Sequence, residues 1–314
     1  MNQYDVLNVG TVVVDIPVKI PYKNVDFTHD LTALEELNMI PGGDAANSSI
    51  VLSRLGERVA LIAAVGDDFF GEIFCRQVGQ RGVDVSNVAV KKGVNTSVSI
   101  VMINSEGNRC FFCTRGNNDA LCETDFDVSL LDSGARHLNY SGFFIHPQLD
   151  RGGANSIFKA AKEKGLTISA DMNVDVPNLG FETIRPLLEY VDIFLPSYIE
   201  AKYLTGETQP ERMAQFLVNK TGEKTIVVKL GENGSYLYHR GKGQIIPAFC
   251  VDTVDTTGAG DNFVAGVISS FLKGMDMSDC VRFGSATAAL NIQYVGATNA
   301  RVTREAVEKF LKSH

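Results

Sequence analysis

The stretch DTTGAGD at residues 255–261 leads directly into an apolar repeat that is typical of a buried helix. Apolar residues recur three or four positions apart along residues 263–272 (FVAGVISSFL), which predicts a helix with one broad buried face. The small residues Gly258, Ala259 and Gly260 therefore stand at a helix N-terminus. There, N–H groups without intrahelical partners and the positive end of the helix dipole favour an anion. The pattern predicts a site for a phosphate group.

Asp261 adds a second chemical function to this turn. A carboxylate beside a phosphate site can accept the proton of an attacking hydroxyl, so Asp261 is a candidate general base. The amides of Gly258, Ala259 and Gly260 are candidates for stabilising the charge that develops on a transferred phosphoryl group. The alternative interpretation is an ordinary helix cap, in which Asp261 satisfies first-turn amides.

The composition indicates a folded protein with a core of its own. Of the 314 residues, 45% are hydrophobic and 21% are charged, so we expect one globular domain over residues 1–314. The formal net charge of -8 argues against nucleic acid as a ligand, because proteins that bind the phosphate backbone carry clustered Lys and Arg. No run approaches the ~18 apolar residues of a membrane span, and the N-terminus lacks the pattern of a secretory signal. We therefore expect a cytoplasmic protein with no membrane partner.

Short apolar runs alternate with helical stretches along the chain. These candidate strands lie at residues 6–14, 59–65, 138–142, 167–170, 192–195 and 225–229. Such alternation is typical of βαβ units that build a mostly parallel sheet with helices on both faces. The sequence therefore predicts an α/β fold.

Two segments, near residues 12–22 and 95–115, break this alternation. Residues 97–103 and 109–114 predict an antiparallel hairpin. Residues 12–22, which include Pro17 and Pro21, predict an edge strand beside it. Together they predict a small β-sheet that forms a lid over the main domain.

A second glycine-rich stretch, PGGDAAN, lies at residues 41–47. It resembles the sugar-binding Gly-Gly-x-x-x-Asn segment of the ribokinase family of carbohydrate kinases (PfkB-type), and residues 255–261 resemble the C-terminal signature of that family. The two signatures stand in the family's order, and the resemblance extends over essentially the whole chain. It implies a three-layer ribokinase-like fold and ATP-dependent phosphorylation of a primary hydroxyl on a small sugar or sugar derivative.

The resemblance also implies positions that bind the sugar. Gly42 and Gly43 would let backbone amides lie against a polyol, and Asn47 offers both a donor and an acceptor. Asp15 can accept hydrogen bonds from two neighbouring hydroxyls, and Asn117 resembles a substrate-facing residue after the hairpin. The alternatives are structural: Asn47 can bond within its own helix, and Asp15 can be a turn residue.

The positions that the resemblance assigns to ATP are Lys229, Gly231, Gly234, Asn291 and Asn173. Lys229 would pair with a phosphate, although a lysine at a strand end is also commonly just solvated. Gly231 and Gly234 resemble the loop that passes the phosphates and ribose. Asn291 resembles a residue beside the adenine.

The expected cofactors are Mg²⁺ and, in addition, K⁺. Glu200 resembles the family's Mg²⁺ residue, acting through bound water as Mg²⁺ prefers. Ser197 stands where the family usually has Asn, which is a departure from the pattern. Asp255 and Thr257 match positions that hold a monovalent cation in many relatives.

Two alternatives to a sugar kinase stay open. A nucleoside kinase of the same family would have an aromatic shelf in the lid, for which the candidates are Phe111, Phe112, Phe143 and Phe144. A sugar sensor without catalytic activity would use the same fold. For each of these functions, including a sugar kinase, the exposed edge of a lid sheet favours pairing between subunits. We therefore expect a homodimer through the lid.

Overall fold

The computed structural model describes residues 3–24, 31–106 and 108–314. Its strands are β1 (Val6–Gly10), β2 (Val13–Lys19), β3 (Ile40–Gly42), β4 (Val59–Gly66), β5 (Val88–Lys91), β6 (Val98–Ile103), β7 (Arg109–Cys113), β8 (His137–Phe143), β9 (Thr167–Met172), β10 (Ile193–Phe194), β11 (Thr225–Lys229), β12 (Ser235–His239) and β13 (Lys242–Ile246). Its α-helices are α1 (Asp44–Arg54), α2 (Phe69–Gly79), α3 (Gly116–Ala120), α4 (Ala154–Glu163), α5 (Phe181–Leu188), α6 (Tyr198–Thr205), α7 (Pro210–Thr221), α8 (Ala259–Leu272), α9 (Met277–Asn291) and α10 (Arg304–Ser313). Within these ranges no helix combines the length and the apolar character needed to cross a bilayer.

The larger of two sheets contains nine of the described strands, in the order β13-β12-β11-β10-β9-β8-β1-β4-β5. The pairings from β11 to β5 are parallel, and β12 and β13 add an antiparallel edge. Parallel neighbours need long crossover connections, which the intervening helices supply. The prediction of a mostly parallel α/β sheet is confirmed.

Helices cover both faces of the larger sheet and produce three layers. Leu7 and Val9 of β1 pack into one core together with α4, α5 and α7, whereas Val6 belongs to a second core with α8 and α9. Successive side chains of a strand point to opposite faces. A strand covered on both sides needs a continuous apolar run, and this is why the runs in the sequence located β1, β4, β8, β9, β10 and β11. No run indicated β5, β12 or β13, which lie at the two edges of the sheet.

The run at residues 6–14, predicted as one strand, is two strands in different sheets. β1 ends at Gly10 in the large sheet, and β2 begins at Val13 in the small one. Val12 and Val14 are buried in a third core with α1 and α2. Because burial continues through the change of sheet, the apolar pattern does not mark it.

The small sheet has the strand order β3-β2-β6-β7. β2 and β6 pair in parallel, while β6 and β7 form the antiparallel hairpin expected from the sequence. These three strands lie in the segments 12–22 and 95–115. β3 joins them as a strand that the sequence did not indicate, and it ends in the glycine pair of the PGGDAAN stretch. We refer to β2, β3, β6 and β7 as the lid.

Helix α8 is held rigidly against α9. A Cβ placed on Gly266 of α8 would lie 2.8 Å from the Cα of Gly284 in α9, so the two backbones are in contact. Almost every residue of α8 after its first turn is buried. The first turn, which follows the DTTGAGD stretch, is therefore a fixed point in the molecule.

Candidate active site

The turn before α8 has the geometry of an anion site. Gly258 is left-handed, with φ 71° and ψ 8°, and a Cβ on it would lie 2.5 Å from the Cβ of Ala297. Only glycine fits this position. Within the described ranges the amides of Gly258 and Gly260 have no hydrogen-bond acceptor, whereas the amide of Ala259 donates to the carbonyl of Thr256 at 3.2 Å. Two of the three predicted amides are thus free to bind a phosphate oxygen.

Asp255 fixes the conformation of this turn. Its Oδ1 accepts the amide of Thr257 at 2.7 Å, and its Oδ2 accepts the amide of Gly296 at 2.8 Å. Burial alone would raise the pKa of Asp255, but hydrogen bonds from Thr257, Gly296 and Arg109 hold it below its usual value. The carboxylate is therefore charged and ties the turn to the neighbouring loop.

The lid contacts the same turn through Arg109. One guanidinium nitrogen lies 2.7 Å from Oδ1 of Asp255, and another donates to the hydroxyl of Thr257. The two residues to which the family resemblance assigns a monovalent cation are therefore both bonded to one arginine.

Asp261 lies in the first turn of α8, beside the free amides. Its Oδ2 accepts a hydrogen bond from the side-chain amide of Asn47 at 2.7 Å. The Oδ1 of Asn47 is buried and has no partner among the described residues. Two residues far apart in the sequence, one from each glycine-rich stretch, thus meet at the predicted base.

Two further carboxylates surround Asp261. Oxygens of Asp44, Asp171 and Asp261 all lie within 4.8 Å of one another. Burial, followed by the charge of Asp44, raises the pKa of Asp171 to about 7 and that of Asp261 well above the usual value. Lys229 opposes both shifts, because a nearby positive charge favours the ionised carboxylates. The site accordingly concentrates negative charge that a cation or a proton must balance.

Polar groups from three loops complete this cluster. Asn173 donates its side-chain amide to Asp44, and the amide of Gly142 donates to Oδ1 of Asp171 at 2.8 Å. The ammonium of Lys229 lies 3.6 Å from where a Cβ of Gly260 would stand, which places it beside the anion turn. These contacts place Asn173 beside the carboxylate cluster and Lys229 beside the turn before α8.

Glu200 lies near this carboxylate cluster and also takes part in a helix cap. Its Oε2 accepts the amide of Ser197 at 2.6 Å, while the hydroxyl of Ser197 accepts the amide of Glu200. Ser197 is therefore the N-cap of α6, a role that serine fills well. The cap directs Glu200 to the cavity that it lines.

A cavity of about 950 Å³ opens next to the anion turn. Its polar end is lined by the carboxylate cluster, Asn173, Glu200, Lys229, Gly260 and Asp261. Gly231 and Gly234 border it, and its apolar walls include Phe249, Val251, Phe263, Ala289 and Ile292. Its size and its combination of apolar walls with a few polar groups are typical of a small-molecule site.

A smaller cavity of about 200 Å³ lies between the lid and the loop at residues 295–299. Asp15 of β2 lines it. A Cβ on Gly42 would overlap the carboxylate of Asp15, so only glycine permits this approach. Burial raises the pKa of Asp15 to about 6, with a further contribution from the charge of Asp44. Asp15, Gly42 and Gly43 therefore connect the lid to the start of α1, where Asn47 lies.

Two predicted ligand residues are buried in structural roles instead. Asn117 is fully buried; its amide donates to the carbonyl of Ala64, and its oxygen accepts the amide of Ser97. Asn291 is also fully buried, and it donates to the carbonyl of Thr257 at 3.0 Å. Asn117 fastens the base of the lid and Asn291 braces the anion turn, so neither borders either cavity.

The sequence pattern of the pfkB family of carbohydrate kinases matches residues 5–304. The chain belongs to this family. This pfkB-family kinase is 26% identical over 309 residues to the ribokinase of Haemophilus influenzae, covering 96% of this chain and 97% of that protein. It is 31% identical over 303 residues to the 2-dehydro-3-deoxygluconokinase of Bacillus subtilis, covering 91% and 92%.

Among solved structures, the pfkB-family kinase is similar to an Arabidopsis thaliana ribokinase complexed with ribose and ATP. The TM-score is 0.84 at 26% identity, covering 98% of this chain and 99% of that one. The predictions of a ribokinase-like fold and of a carbohydrate kinase are confirmed.

Sequence reasoning missed two residues of this site, Asp44 and Arg109. Asp44 stands directly after Gly43 in the PGGDAAN stretch, where its charge is a usable signal. Arg109 had no signal, because a basic residue at the start of a hairpin strand is ordinary and its contact with the turn is made only in the folded chain.

Proposed function

We propose that this kinase transfers the γ-phosphate of ATP to a primary hydroxyl of a small sugar, with Asp261 as the general base. The observation that carries the proposal is the position of Asp261. It lies beside the free amides of Gly258 and Gly260, borders the large cavity, and bonds to Asn47 of the other glycine-rich stretch. The carboxylate of Asp261 therefore lies between the candidate phosphate site and the candidate site for the sugar hydroxyl.

The large cavity suits the nucleotide, and the smaller cavity that Asp15 lines suits the sugar. Asp261 takes the hydroxyl proton as the sugar oxygen bonds to the γ-phosphorus, and the bond from that phosphorus to the bridging oxygen breaks. ADP leaves with the electron pair. The amides of Gly258 and Gly260 stabilise the negative charge that spreads over the transferred group.

The acidic side chains of the large cavity fit Mg²⁺, which prefers oxygen ligands and keeps several waters. Glu200 lines this cavity near Asp44 and Asp171, and it would hold the ion through water. When bound, Mg²⁺ neutralises phosphate charge. The carboxylate cluster would otherwise repel ATP.

ADP release with a panel of sugars and nucleosides tests the proposal. We expect turnover with at least one sugar, and Asp261→Asn should lower it at least ~10²-fold while the protein stays folded. Because the pKa of Asp261 is raised, turnover should increase with pH over a range above that of an ordinary Asp. The matched control is Asp279→Asn, since Asp279 is also an acid in a first helical turn but is exposed. Near-normal turnover of Asp261→Asn would refute the base.

The aromatic candidates favour a sugar over a nucleoside. Phe143 and Phe144 are fully buried in the core, so they offer no shelf. Phe111 borders the lid cavity, whose volume of about 200 Å³ is small for a base together with a ribose. Measurable sugar binding without ADP release from any sugar would instead favour the non-catalytic sensor.

We also infer a homodimer through the lid. β7 is the outer strand of the lid sheet, and its residues after Arg109 are exposed. Phe111 and Phe112 are 55% and 61% exposed there. An unpaired strand edge with exposed aromatic side chains is a surface that commonly pairs with another chain.

A further inference from the structure

Arg109 is the first residue of β7, and its guanidinium reaches from the lid to the anion turn. It contacts Oδ1 of Asp255 at 2.7 Å and donates to the hydroxyl of Thr257. Its side chain is 27% exposed, and that of Asp255 is 5% exposed. The pair is therefore largely shielded from water, where a charge interaction is stronger than on an open surface.

The ligand atoms expected to hold a monovalent cation already accept N–H donors. A carboxylate offers about four lone-pair sites. In Asp255 three of them are used, by Arg109 and the amide of Thr257 at Oδ1 and by the amide of Gly296 at Oδ2. The hydroxyl of Thr257 accepts the same guanidinium. The guanidinium of Arg109 already balances the buried charge of Asp255, so these oxygen atoms fit arginine better than they fit K⁺.

We propose that Arg109 takes the place of a monovalent cation beside the anion turn and positions that turn for catalysis. Arg109 acts through Asp255 and Thr257, and so it is a positioning residue. Asp255 in turn holds the amide of Thr257, directly before Gly258, whose N–H is one of the two free donors at the start of α8. The inference rests on the proposed kinase function.

Because the positive charge belongs to the lid, its arrival at the anion turn is coupled to closure of the lid. A dissolved ion reaches its site whatever the lid does, whereas Arg109 reaches Asp255 only when the lid lies over the turn. The completed anion turn and the closed lid are therefore one state of the molecule. Turnover should then be independent of the monovalent cation in the buffer.

Steady-state turnover in two salts of equal ionic strength, potassium chloride and tetramethylammonium chloride, tests this proposal. The wild type should differ by less than about twofold between them, since its cation is internal. Arg109→Ala should lose at least about tenfold in tetramethylammonium through a misplaced turn, and potassium should restore a large part of the loss. Arg109→Lys should keep its independence of potassium, because it still brings a charge. A wild type that requires potassium, or an Arg109→Ala variant equally impaired in both salts, would overturn the proposal.

The control is Arg185→Ala, because Arg185 also bonds to two carboxylates, Glu182 and Glu189, but on the surface of α5. It should behave as the wild type in both salts. A second readout needs neither ATP nor sugar: potassium should raise the Tm of Arg109→Ala by more than that of the wild type, since binding to the folded state stabilises it. Equal Tm shifts would count against the proposal. If the wild type releases no ADP with any sugar, the kinase proposal fails, and this Tm comparison still decides the role of Arg109.

Discussion

The side-chain amide of Asn47 donates to the carboxylate of Asp261 across 2.7 Å, joining α1 to the first turn of α8. The bond fixes which oxygen of Asp261 is occupied and leaves the other for a substrate proton. A base that is held in one orientation accepts a proton more effectively than one that rotates. Asn47 is therefore expected to act on turnover through Asp261.

Asn47→Ala should lower kcat by roughly tenfold, because the base loses its fixed orientation. In the double variant with Asp261→Asn, the loss of Asn47 should have no further effect on kcat, since the group it orients is gone. Steady-state kinetics of the two single variants and the double variant check this. Additive losses would mean that Asn47 acts independently, for example by binding the sugar alone.

Gly258→Ala should reduce turnover by about 10²-fold or more, as expected when an oxyanion-type donor is displaced. The new Cβ would stand 2.5 Å from that of Ala297, in a left-handed conformation, so the turn must move. Gly274→Ala is the control, because Gly274 has a similar φ of 77° but nothing lies within 4 Å of the place where its Cβ would stand. The control separates backbone strain from the steric clash. Equal turnover of the two variants would show that the clash is relieved without moving the amides.

Asp171→Asn should stabilise the protein more at pH 8 than at pH 5. The folded protein retains a proton on Asp171 up to about pH 7, whereas the unfolded chain releases it near 3.8, so the free energy of unfolding falls between these values as pH rises. Asparagine removes this titration, and its oxygen can still accept the amide of Gly142. The gain in Tm should be several degrees larger at pH 8. Thermal unfolding at both pH values measures it, and a gain independent of pH would contradict it.

Asn117→Ala should lower the free energy of unfolding by about 1–3 kcal/mol for each buried partner left unsatisfied. The partners are the carbonyl of Ala64 and the amide of Ser97. Denaturant unfolding measures the loss, with Asn219→Ala on the exposed side of α7 as the control. A variant of normal stability with a raised KM for sugar would instead restore the direct sugar contact that the family resemblance suggested.

Phe112→Asp should convert a dimer into a monomer, because it places a charge on the exposed edge strand of the lid. Phe112 is 61% exposed. The control Val128→Asp changes a side chain that is 63% exposed but lies outside the lid, and it should stay dimeric. Light scattering after size exclusion gives the masses. A monomeric wild type would reject the dimer.

Local patterns predicted the elements and residues that depend on neighbours in sequence. The glycine turn before α8, the helix that carries Asn47 and six strands of the large sheet (β1, β4, β8, β9, β10 and β11) follow from spacing within short stretches, whereas β5, β12 and β13 do not. The patterns carry no information on contacts between distant parts of the chain. Asn117 and Asn291 have the chemistry of ligand residues, yet burial commits them to backbone partners, and only the folded chain shows this.

The same limit explains Arg109 and the change of sheet after β1. Neither the ion pair with Asp255 nor the transfer of the chain into the lid leaves a mark on hydrophobic periodicity. Both depend on how the two sheets lie against each other.

Asp15 belongs to the lid sheet, whereas Asp261 belongs to a helix packed on the large sheet. A polyol that bonds to both carboxylates would bridge the lid and the main domain, and the length of the polyol would set the distance between them. A water molecule can reach Asp261 but cannot span to Asp15. The protein can thus discriminate between a sugar hydroxyl and water as phosphate acceptor by the size of the molecule, independently of their chemical reactivity.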